Sequence, residues 1–474
     1  MDMLRLPFSL LLPLLPGLML LVSGCSISYS TGVDSEQKIS ANSGNFDGNL
    51  DPDDRFGSAI ATIGDLQGDG VIDLAVGAPM DDDAGTNRGA VWVLFMDDDG
   101  EVDEVQKISA DSGGLEGDLD DGDQFGSAIA ALGDLNNDGV RDIAVGAPLD
   151  DDAGTDKGAV WILFLNSDGS VLSEQKISDD AGDFPGDLDD NDQFGHAVAA
   201  IGDLNGDGVN DLAVGAPNDD DGGTDRGAVW ILFMNSDGTV SAGQKISADR
   251  GSLGREPEDG DHFGSGLTEM GDLDDDGVVD LAVGVSGDDD GGSDRGAVWI
   301  LFMNDDGSVD ELKRITQTRG EFDGDLSDGD QFGNAVASIG DLNDDGTEDL
   351  AVGAKLSDDG GAERGAVWIL FMEINGEVIS STRLSDTAGD FDGELDSGDQ
   401  FGSALAYLGD LDGDGVGDIA VGASLDDDDD TDSGALWILF MDDADSDYDR
   451  EEGGLFDMSQ EDLDTLLNGS GGAN

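Results

Sequence analysis

The chain has 474 residues, of which 110 are Asp or Glu and 20 are Lys or Arg, so its formal net charge is −90. This charge argues against a nucleic-acid-binding protein, because phosphate binding requires a basic surface. A composition this acidic is common in disordered chains, but 38% of the residues are hydrophobic and the apolar runs recur regularly. With 75 Gly residues and no long amphipathic helical pattern, the sequence predicts a turn-rich all-β fold and not an α/β fold.

Residues 1–24 have the pattern of a signal peptide. Arg5 precedes an apolar stretch that three prolines interrupt, so we do not expect a stable membrane-spanning helix. The stretch ends in Val-Ser-Gly-Cys at residues 22–25, which resembles the lipobox of bacterial lipoproteins. The resemblance implies export, a lipid anchor at Cys25, and a location in the bacterial cell envelope or outside the cell. An ordinary secretory signal with an incidental cysteine is the alternative, and residues 25–36 are expected to form a linker.

Six copies of one 69-residue unit follow, without insertions or deletions between them. All six tryptophans recur with this period, and so does the dipeptide Phe-Gly. A fixed period of this length is typical of proteins that repeat one supersecondary unit. The Phe-Gly phenylalanines are Phe56, Phe125, Phe194, Phe263, Phe332 and Phe401.

Each copy contains four strand-like runs, named A to D, which the second copy illustrates. Strand A (125–132) has small side chains, which suit the crowded centre of a ring, and strand B (142–147) is rich in Val, Ile and Leu. Strand C (158–165) is apolar on both faces, so both must be covered, as they are when blades stack. Strand D (105–109) contains Lys and Gln, which suit an outer edge. Four-stranded units repeated around an axis predict a β-propeller.

The stretch FGSAIAALGDLNNDGVRDIAVGAP, residues 125–148, resembles the FG-GAP repeat of the integrin α-subunit propeller. The resemblance covers residues 37–441. That family implies seven blades, whereas the chain has six copies, and the order of the elements favours six. A strand at 37–40 precedes the first Phe-Gly, and the last copy ends after its strand C at Met441. Residues 37–40 would therefore serve as the outer strand of the last blade, which removes a free sheet edge.

The loop between strands A and B, here called the A–B loop, reads Asp-x-(Asp/Asn/Gln)-x-Asp-Gly-x-x-Asp in every copy. Oxygen side chains at positions 1, 3 and 5, with Gly at 6, can surround a cation of calcium size. Position 7 would add a backbone carbonyl and position 9 a carboxylate. An EF-hand would need Glu at position 12, where the second copy has Val145. The FG-GAP resemblance therefore implies a calcium loop in a β-hairpin.

We expect about six Ca²⁺ ions, one per repeat, and disfavour Mg²⁺ because it prefers octahedral sites with several waters. Tight turns alone also use Asp, Asn and Gly, but six loops with the same donor positions favour the metal. Gln67 should weaken the first site, because it removes one negative charge. The predicted ligands are Asp65, Gln67, Asp69, Val71 and Asp73; Asp134, Asn136, Asp138, Val140 and Asp142; Asp203, Asn205, Asp207, Val209 and Asp211; Asp272, Asp274, Asp276, Val278 and Asp280; Asp341, Asn343, Asp345, Thr347 and Asp349; and Asp410, Asp412, Asp414, Val416 and Asp418.

The B–C and D–A loops should lie on the face opposite the A–B loops, because successive antiparallel strands reverse direction. In the second copy both are acidic, at 150–152 and 118–123. They predict either a site for a cationic or cation-bridged partner, or a solvated surface adapted to high salt. In the fourth copy Arg250 and Arg255 interrupt the acids of this face.

No catalytic constellation emerges from the sequence, so we do not expect an enzyme. His196 and His262, the two histidines, are interpreted as surface substitutions, and neither a Ser-His-Asp nor a Cys-His set can be assembled. The acidic tail, 442–474, contains a short helical pattern at 459–467. The whole pattern favours a calcium-binding module that recognises a protein or glycan outside the cell. The alternative is a structural envelope protein with a salt-adapted acidic surface and no specific ligand.

Overall fold

A computed structural model describes residues 27–83, 85–255, 257–442 and 445–448. The chain divides into two compact units. The larger unit, Tyr29–Asp445, is all β, and the smaller consists of residues 1–28 and 446–474. Cys25, the predicted signal peptide and the predicted C-terminal helix lie outside the described residues. None of the described residues forms a helix with the length and hydrophobicity that a membrane crossing requires.

The described residues form strands in the following order along the chain. They are β1 (Ile27–Ser30), β2 (Val33–Ile39), β3 (Ala59–Gly64), β4 (Asp73–Ala78), β5 (Ala90–Met96), β6 (Val102–Ile108), β7 (Ala128–Gly133), β8 (Asp142–Ala147), β9 (Ala159–Leu165), β10 (Val171–Ile177), β11 (Ala197–Ala200), β12 (Leu212–Ala216), β13 (Ala228–Met234), β14 (Val240–Ile246), β15 (Phe263–Glu269), β16 (Leu281–Val285), β17 (Ala297–Met303), β18 (Val309–Ile315), β19 (Val336–Ser338), β20 (Leu350–Ala354), β21 (Ala366–Met372), β22 (Val378–Leu384), β23 (Phe401–Gly409), β24 (Asp418–Ala423), β25 (Ala435–Met441) and β26 (Asp445–Tyr448).

Six antiparallel four-stranded sheets form the blades of a propeller, so the predicted fold and blade number are confirmed. From inner to outer strand the blades are β3-β4-β5-β6, β7-β8-β9-β10, β11-β12-β13-β14, β15-β16-β17-β18, β19-β20-β21-β22 and β23-β24-β25-β2. The innermost strands contact each other in sequence around the ring, and β23 contacts β3. A separate two-stranded sheet pairs β1 with β26.

The last blade takes its outer strand from the beginning of the chain, as predicted. Lys38 of β2 is paired with Trp437 of β25, the same register that Lys107 and Trp92 have within the first blade. The strand begins at Val33, four residues before the predicted start, and so includes part of the expected linker. The ring therefore closes by hydrogen bonding between its two ends.

Consecutive blades meet backbone to backbone near the centre of the ring. Phe125 forms a parallel bridge with Gly89 of the preceding blade. Strand A of this copy begins at Ala128 and not at Phe125 as predicted, whereas in the fourth and sixth copies it begins at the phenylalanine itself. A Cβ atom at Gly146 would lie 1.9 Å from the carbonyl oxygen of Gly195 in the next blade. No side chain fits at that distance, so the inner end of strand B requires glycine.

The core lies mainly between blades. All seven residues of β9 are buried, which agrees with the apolar character of strand C on both faces. Phe184 of a D–A loop packs against Phe194 and Trp230, with ring centroids 5.1 and 4.9 Å apart. The Phe-Gly phenylalanine is thus part of an aromatic cluster as well as of the backbone bridge.

Removing β2 should destabilise the last blade. Deletion of residues 26–41 exposes the edge of β25 and removes the burial of Val33 and Ile39, which are 3% and 0% exposed. Burial of two such side chains stabilises by about 3–6 kcal/mol. We expect a lower melting temperature and aggregation, measured by calorimetry and size-exclusion chromatography. Deletion of 26–28, which leaves β2 intact, is the control, and equal stability of the two truncated chains would contradict the closure.

Candidate metal-binding loops and the opposite face

Five of the six A–B loops fold around the carboxylate at their first position. In the sixth, Asp412 Oδ1 accepts the hydrogen bond from the Asp414 backbone N–H, at 3.0 Å. In the second copy, Asp134 Oδ1 accepts a hydrogen bond from the Asp138 backbone N–H at 2.8 Å, and its Oδ2 accepts one from Gly139 at 2.9 Å. Asp138 Oδ1 in turn accepts one from Val140 at 2.9 Å. Asn137, with φ of 61°, and Gly139, with φ of 94°, allow the tight path, because Asn and Gly tolerate the left-handed region. The loop thus gathers positions 1 and 5.

Position 3 joins the same group. In the fourth and sixth copies all three of these positions are Asp, and one carboxylate oxygen from each lies within 4.8 Å of the others: Asp272, Asp274 and Asp276, and Asp410, Asp412 and Asp414. In the other copies position 3 is an amide. Asn136 Nδ2 donates to Asp138 Oδ2 at 3.0 Å, and Gln67 Nε2 donates to Asp69 Oδ2 at 2.9 Å. Rotation of the Gln67 amide by 180° would place its oxygen in the group instead. In Asn136 the same rotation would break the hydrogen bond that its Oδ1 accepts from the Asp138 backbone N–H at 2.8 Å.

These oxygen sets fit a hard cation. The donors are carboxylate and amide oxygens, the ligand type that Ca²⁺ takes. Slight burial raises the pKa of Asp274, and the neighbouring charges of Asp276 and Asp272 raise it further. A bound cation would relieve this repulsion between adjacent carboxylates.

The aspartate at position 9 connects each loop to its blade. Asp142 is completely buried, and its two oxygens accept hydrogen bonds from the backbone of Leu135 at 2.9 Å and Leu165 at 3.2 Å. Burial raises its pKa to about 6, against the opposing effect of these hydrogen bonds. The equivalent residues in the other copies are buried in the same way: Asp73, Asp211, Asp280, Asp349 and Asp418.

On the opposite face, several of the aspartates that were predicted to bind a partner form ion pairs within the blades instead. Asp150 is 2% exposed, and its Oδ2 lies 2.5 Å from Lys176 Nζ. Asp152 lies 2.6 Å from the same ammonium, which sits 5.3 Å from the ring centroid of Trp161. The strand D lysine therefore lies in a partly buried ion-pair and cation–π site. It does not simply mark a solvated edge.

Every blade places one strand D cation over its tryptophan, at 5.1–5.6 Å. In the fifth blade Ser357 replaces the buried aspartate, and Arg383 lies 3.3 Å from Asp359. The interpretation of the B–C loops as a uniformly solvated or partner-binding surface is therefore wrong for the first aspartate of each buried pair. Asp150 and Asp219 are structural, whereas Asp151 and Asp220 are exposed. The six cations are Lys38, Lys107, Lys176, Lys245, Arg314 and Arg383.

The D–A loops also divide into buried and exposed acids. Asp123 is 3% exposed and accepts a hydrogen bond from the Asp120 backbone at 2.7 Å. Burial raises the pKa of Asp123 to about 7, and the charge of Asp150 adds to the rise. Asp121 is solvated, and its bond to Arg88 at 2.8 Å holds its pKa below the usual value. Asp118 and Asp120 are exposed.

The two arginines that distinguish the fourth copy and the two histidines lie in different parts of this face. Arg250 lies 3.9 Å from Asp221 and Arg255 lies 3.2 Å from Glu258, so both arginines face acids at the periphery. His262 Nδ1 is 3.3 Å from the carbonyl of Pro217. His196 lines a cavity at the centre of the ring. This cavity was not predicted, and His196 was interpreted from the sequence as a surface substitution. Its neighbour Lys355 was also missed, although it stands where the other copies have Pro or Ser.

The buried D–A aspartates should make the protein less stable as the pH rises. Between about pH 4 and 7 the folded Asp123 holds a proton that the unfolded chain releases, so unfolding free energy falls through this range. Asp123→Asn keeps a hydrogen-bond acceptor and removes the titration. At fixed calcium we expect the variant to equal the parent at pH 4 and exceed it at pH 8, by at most about 4 kcal/mol.

Denaturant titrations across the pH range measure this effect. Asp121→Asn is the matched control and should give no gain at pH 8, because the pKa of Asp121 is lowered and not raised. A pH slope for Asp123→Asn that equals the parent's would contradict the assignment.

Comparison with known proteins agrees with the repeat architecture. Five segments match the model of the FG-GAP repeat, at residues 56–94, 125–163, 194–232, 332–370 and 401–439. The fourth copy, which begins at Phe263, is not among them, although it has the same four strands, β15 to β18.

Among curated proteins the chain is similar to integrin alpha pat-2 of Caenorhabditis elegans, with 30% identity over 245 residues, which are 49% of this chain and 18% of that protein. It is 39% identical to human integrin alpha-11 over 163 residues, 34% of this chain and 12% of the integrin. It is 34% identical to bovine phosphatidylinositol-glycan-specific phospholipase D over 208 residues, 42% of this chain and 22% of that protein. The chain thus spans less than a quarter of the length of these relatives. Its described part is a six-bladed β-propeller with FG-GAP repeats in five of the six blades, and it is similar to part of the integrin alpha proteins.

Proposed function

We propose that this protein binds calcium in its A–B loops, about one Ca²⁺ per repeat, and acts as a recognition module for a protein or glycan outside the cell. The observation that carries the proposal is the convergence of oxygen donors at positions 1, 3 and 5 on one face of the ring. Similarity to integrin alpha proteins supports the recognition role. The signal-like segment and Cys25 support export with a lipid anchor.

In each loop the first, third and fifth side chains would hold the ion. The backbone carbonyl at position 7 and the carboxylate at position 9 would complete the oxygen set. Because Asp142 also accepts hydrogen bonds from the loop and from strand C, an ion bound to it would fasten the loop to the blade core. Six ions would reduce the formal net charge from −90 to −78, since each adds two positive charges, and so weaken self-repulsion of the folded chain.

Calcium should therefore raise the melting temperature strongly. A ligand at one hundred times its dissociation constant stabilises the folded state by about 2.7 kcal/mol per site. We expect a large difference between melts in calcium and in chelator at low ionic strength, and titration calorimetry should count about six sites. Equal melting temperatures would contradict the calcium proposal.

Asp138→Ala should remove one site and leave about five, because it deletes the carboxylate at position 5 of the second loop. Asp151→Ala changes the charge equally but lies in an exposed B–C loop, so it is the control and should leave the site count unchanged. A loss of sites in both variants would mean that net charge, and not ligation, governs binding.

The face that carries the B–C and D–A loops is proposed to bind a cationic or cation-bridged partner. Exposed, unburied aspartates such as Asp151 and Asp220 remain after the internal ion pairs are subtracted, and their potential favours positively charged surfaces. By contrast, changing Asp150 or Asp219 would disturb folding, because each pairs with a strand D lysine.

A screen of the protein against glycans and envelope proteins, with calcium or chelator, tests recognition. We expect calcium-dependent binding of at least one cationic partner, several-fold weaker for the double variant Asp151→Asn, Asp220→Asn. Arg250→Ser, which removes an exposed positive charge, is the control. The absence of any partner above background in either condition would favour the alternative, a structural envelope protein.

A further inference from the structure

The centre of the ring contains two cavities, one toward each face. Their volumes are about 320 and 380 Å³. Both are lined by one apolar residue from each innermost strand or its start, at equivalent positions of the six copies, so this ring of side chains lies between them. The six residues are Ile60, Ile129, Val198, Leu267, Val336 and Leu405.

The two cavities have opposite polarity. The first opens on the side of the B–C and D–A loops and is lined by Arg55, His196 and Lys355. None of the described residues that line it is Asp or Glu, in a chain with 110 acidic residues. The second, toward the A–B loops, is lined by Glu269 and Glu348. We call the first cavity the basic mouth, defined by Arg55, His196 and Lys355.

The cations of the basic mouth have no counterion among the described residues. Lys355 donates its backbone N–H to Asn334 Oδ1 at 3.0 Å, but its ammonium group forms no hydrogen bond or ion pair there, and neither does the guanidinium of Arg55. Burial lowers the pKa of Lys355, and the charge of Arg55 lowers it further. Arg55 and His196 are exposed to solvent where they line the cavity, and Lys355 is half-buried. In contrast, the strand D cations contact one or two carboxylates each.

Both cations are departures from the repeat. At the position of Arg55 four copies have Gln and one has His. At the position of Lys355 the other copies have Pro or Ser. Around them the mouth is lined by hydrogen-bonding groups of serine, glutamine and asparagine, among them Ser58, Gln124 and Asn334. A repeat that is otherwise neutral at these positions thus carries two positive charges that face one small cavity.

We propose that the basic mouth binds a single anionic group, a carboxylate or phosphate, carried by a compact polar molecule. Lys355 and Arg55 supply the opposing charge, and neither has a carboxylate partner among the residues that line the cavity. The surrounding amides and hydroxyls match hydroxyl groups on the ligand. The volume is at the small end for ligand sites, which corresponds to a monosaccharide-sized molecule.

The negative charge of the rest of the protein limits how many negative charges the ligand can carry. With a net charge of −90 the protein repels polyanions, so the ligand carries one or a few negative charges and is not a nucleic acid. A sugar acid has the charge, size and hydroxyl groups that fit best. This site is independent of the A–B loops, and its existence does not require the calcium proposal.

Binding of glucuronate, inorganic phosphate and glucose to the calcium-loaded protein, measured by calorimetry at low salt, tests the inference. We expect millimolar or tighter binding of glucuronate and none of glucose. The double variant Arg55→Gln, Lys355→Ser should bind glucuronate at least tenfold more weakly. Both new residues occur at the same positions of other copies, in Gln124 and Ser424, so the variant should fold.

Arg250→Ser is the matched control, because it also removes a positive charge and has its counterpart in Ser43. It should bind glucuronate with the affinity of the parent. Tighter binding of phosphate than of glucuronate, lost in the double variant, would support the anion site and identify phosphate as the preferred group. Equal binding by the double variant, equal binding of glucose, or binding of neither anion would overturn the proposal.

Discussion

The close backbone contact between consecutive blades is the constraint on which the rest of the ring depends. The carbonyl oxygen of Gly195 lies where a Cβ of Gly146 would be, and Phe194 forms a bridge with Gly158 of the preceding blade. Because a ring must close, this contact has to have nearly the same geometry six times. This requirement explains two features of the sequence: the fixed period of 69 residues, and the glycine near the end of strand B in every copy.

The distribution of charge follows from the same architecture. Blades present the ends of their strands at two faces, so the loops there carry most of the 110 acidic residues. Of the 20 Lys and Arg residues, six lie over tryptophans and contact one or two carboxylates each, and two more, Arg55 and Lys355, line the central cavity. In the second blade Lys176 pairs with the buried Asp150, while Asp151 of the same loop stays exposed.

Much of the fold could be predicted from the sequence, because the repeat displays each element six times. Strand B was placed correctly, strand C within one residue, and the closing strand at 37–40 lies inside β2. Strand A begins after the Phe-Gly phenylalanine in four copies and at it in the fourth and sixth, although all six phenylalanines form the bridge to the neighbouring blade. The metal ligands remain a prediction. The loops bring together oxygen donors, which is the ligand type that the prediction requires.

The electrostatic details could not be predicted in the same way. The pairing of Asp150 with Lys176 spans 26 residues and depends on the register that places the lysine opposite Trp161. The basic mouth is assembled from residues 300 apart in the chain, Arg55 and Lys355, which only the closed ring brings to one cavity. A comparison of the copies at each position could have identified both cations as departures, but not the space they share.

The strand that closes the ring is separated in time of synthesis from its partner strand. Residues 33–39 are made early, whereas their partner strand begins at Ala435. At about 5–20 residues per second the gap of roughly 400 residues corresponds to about 20–80 s. Until residues 435–441 have been made, β2 lacks the strand with which it pairs in the finished blade. Whatever order the other five blades follow, the sixth cannot be completed before this last part of the repeat region is present, so a chain that stops before Ala435 would leave the ring open.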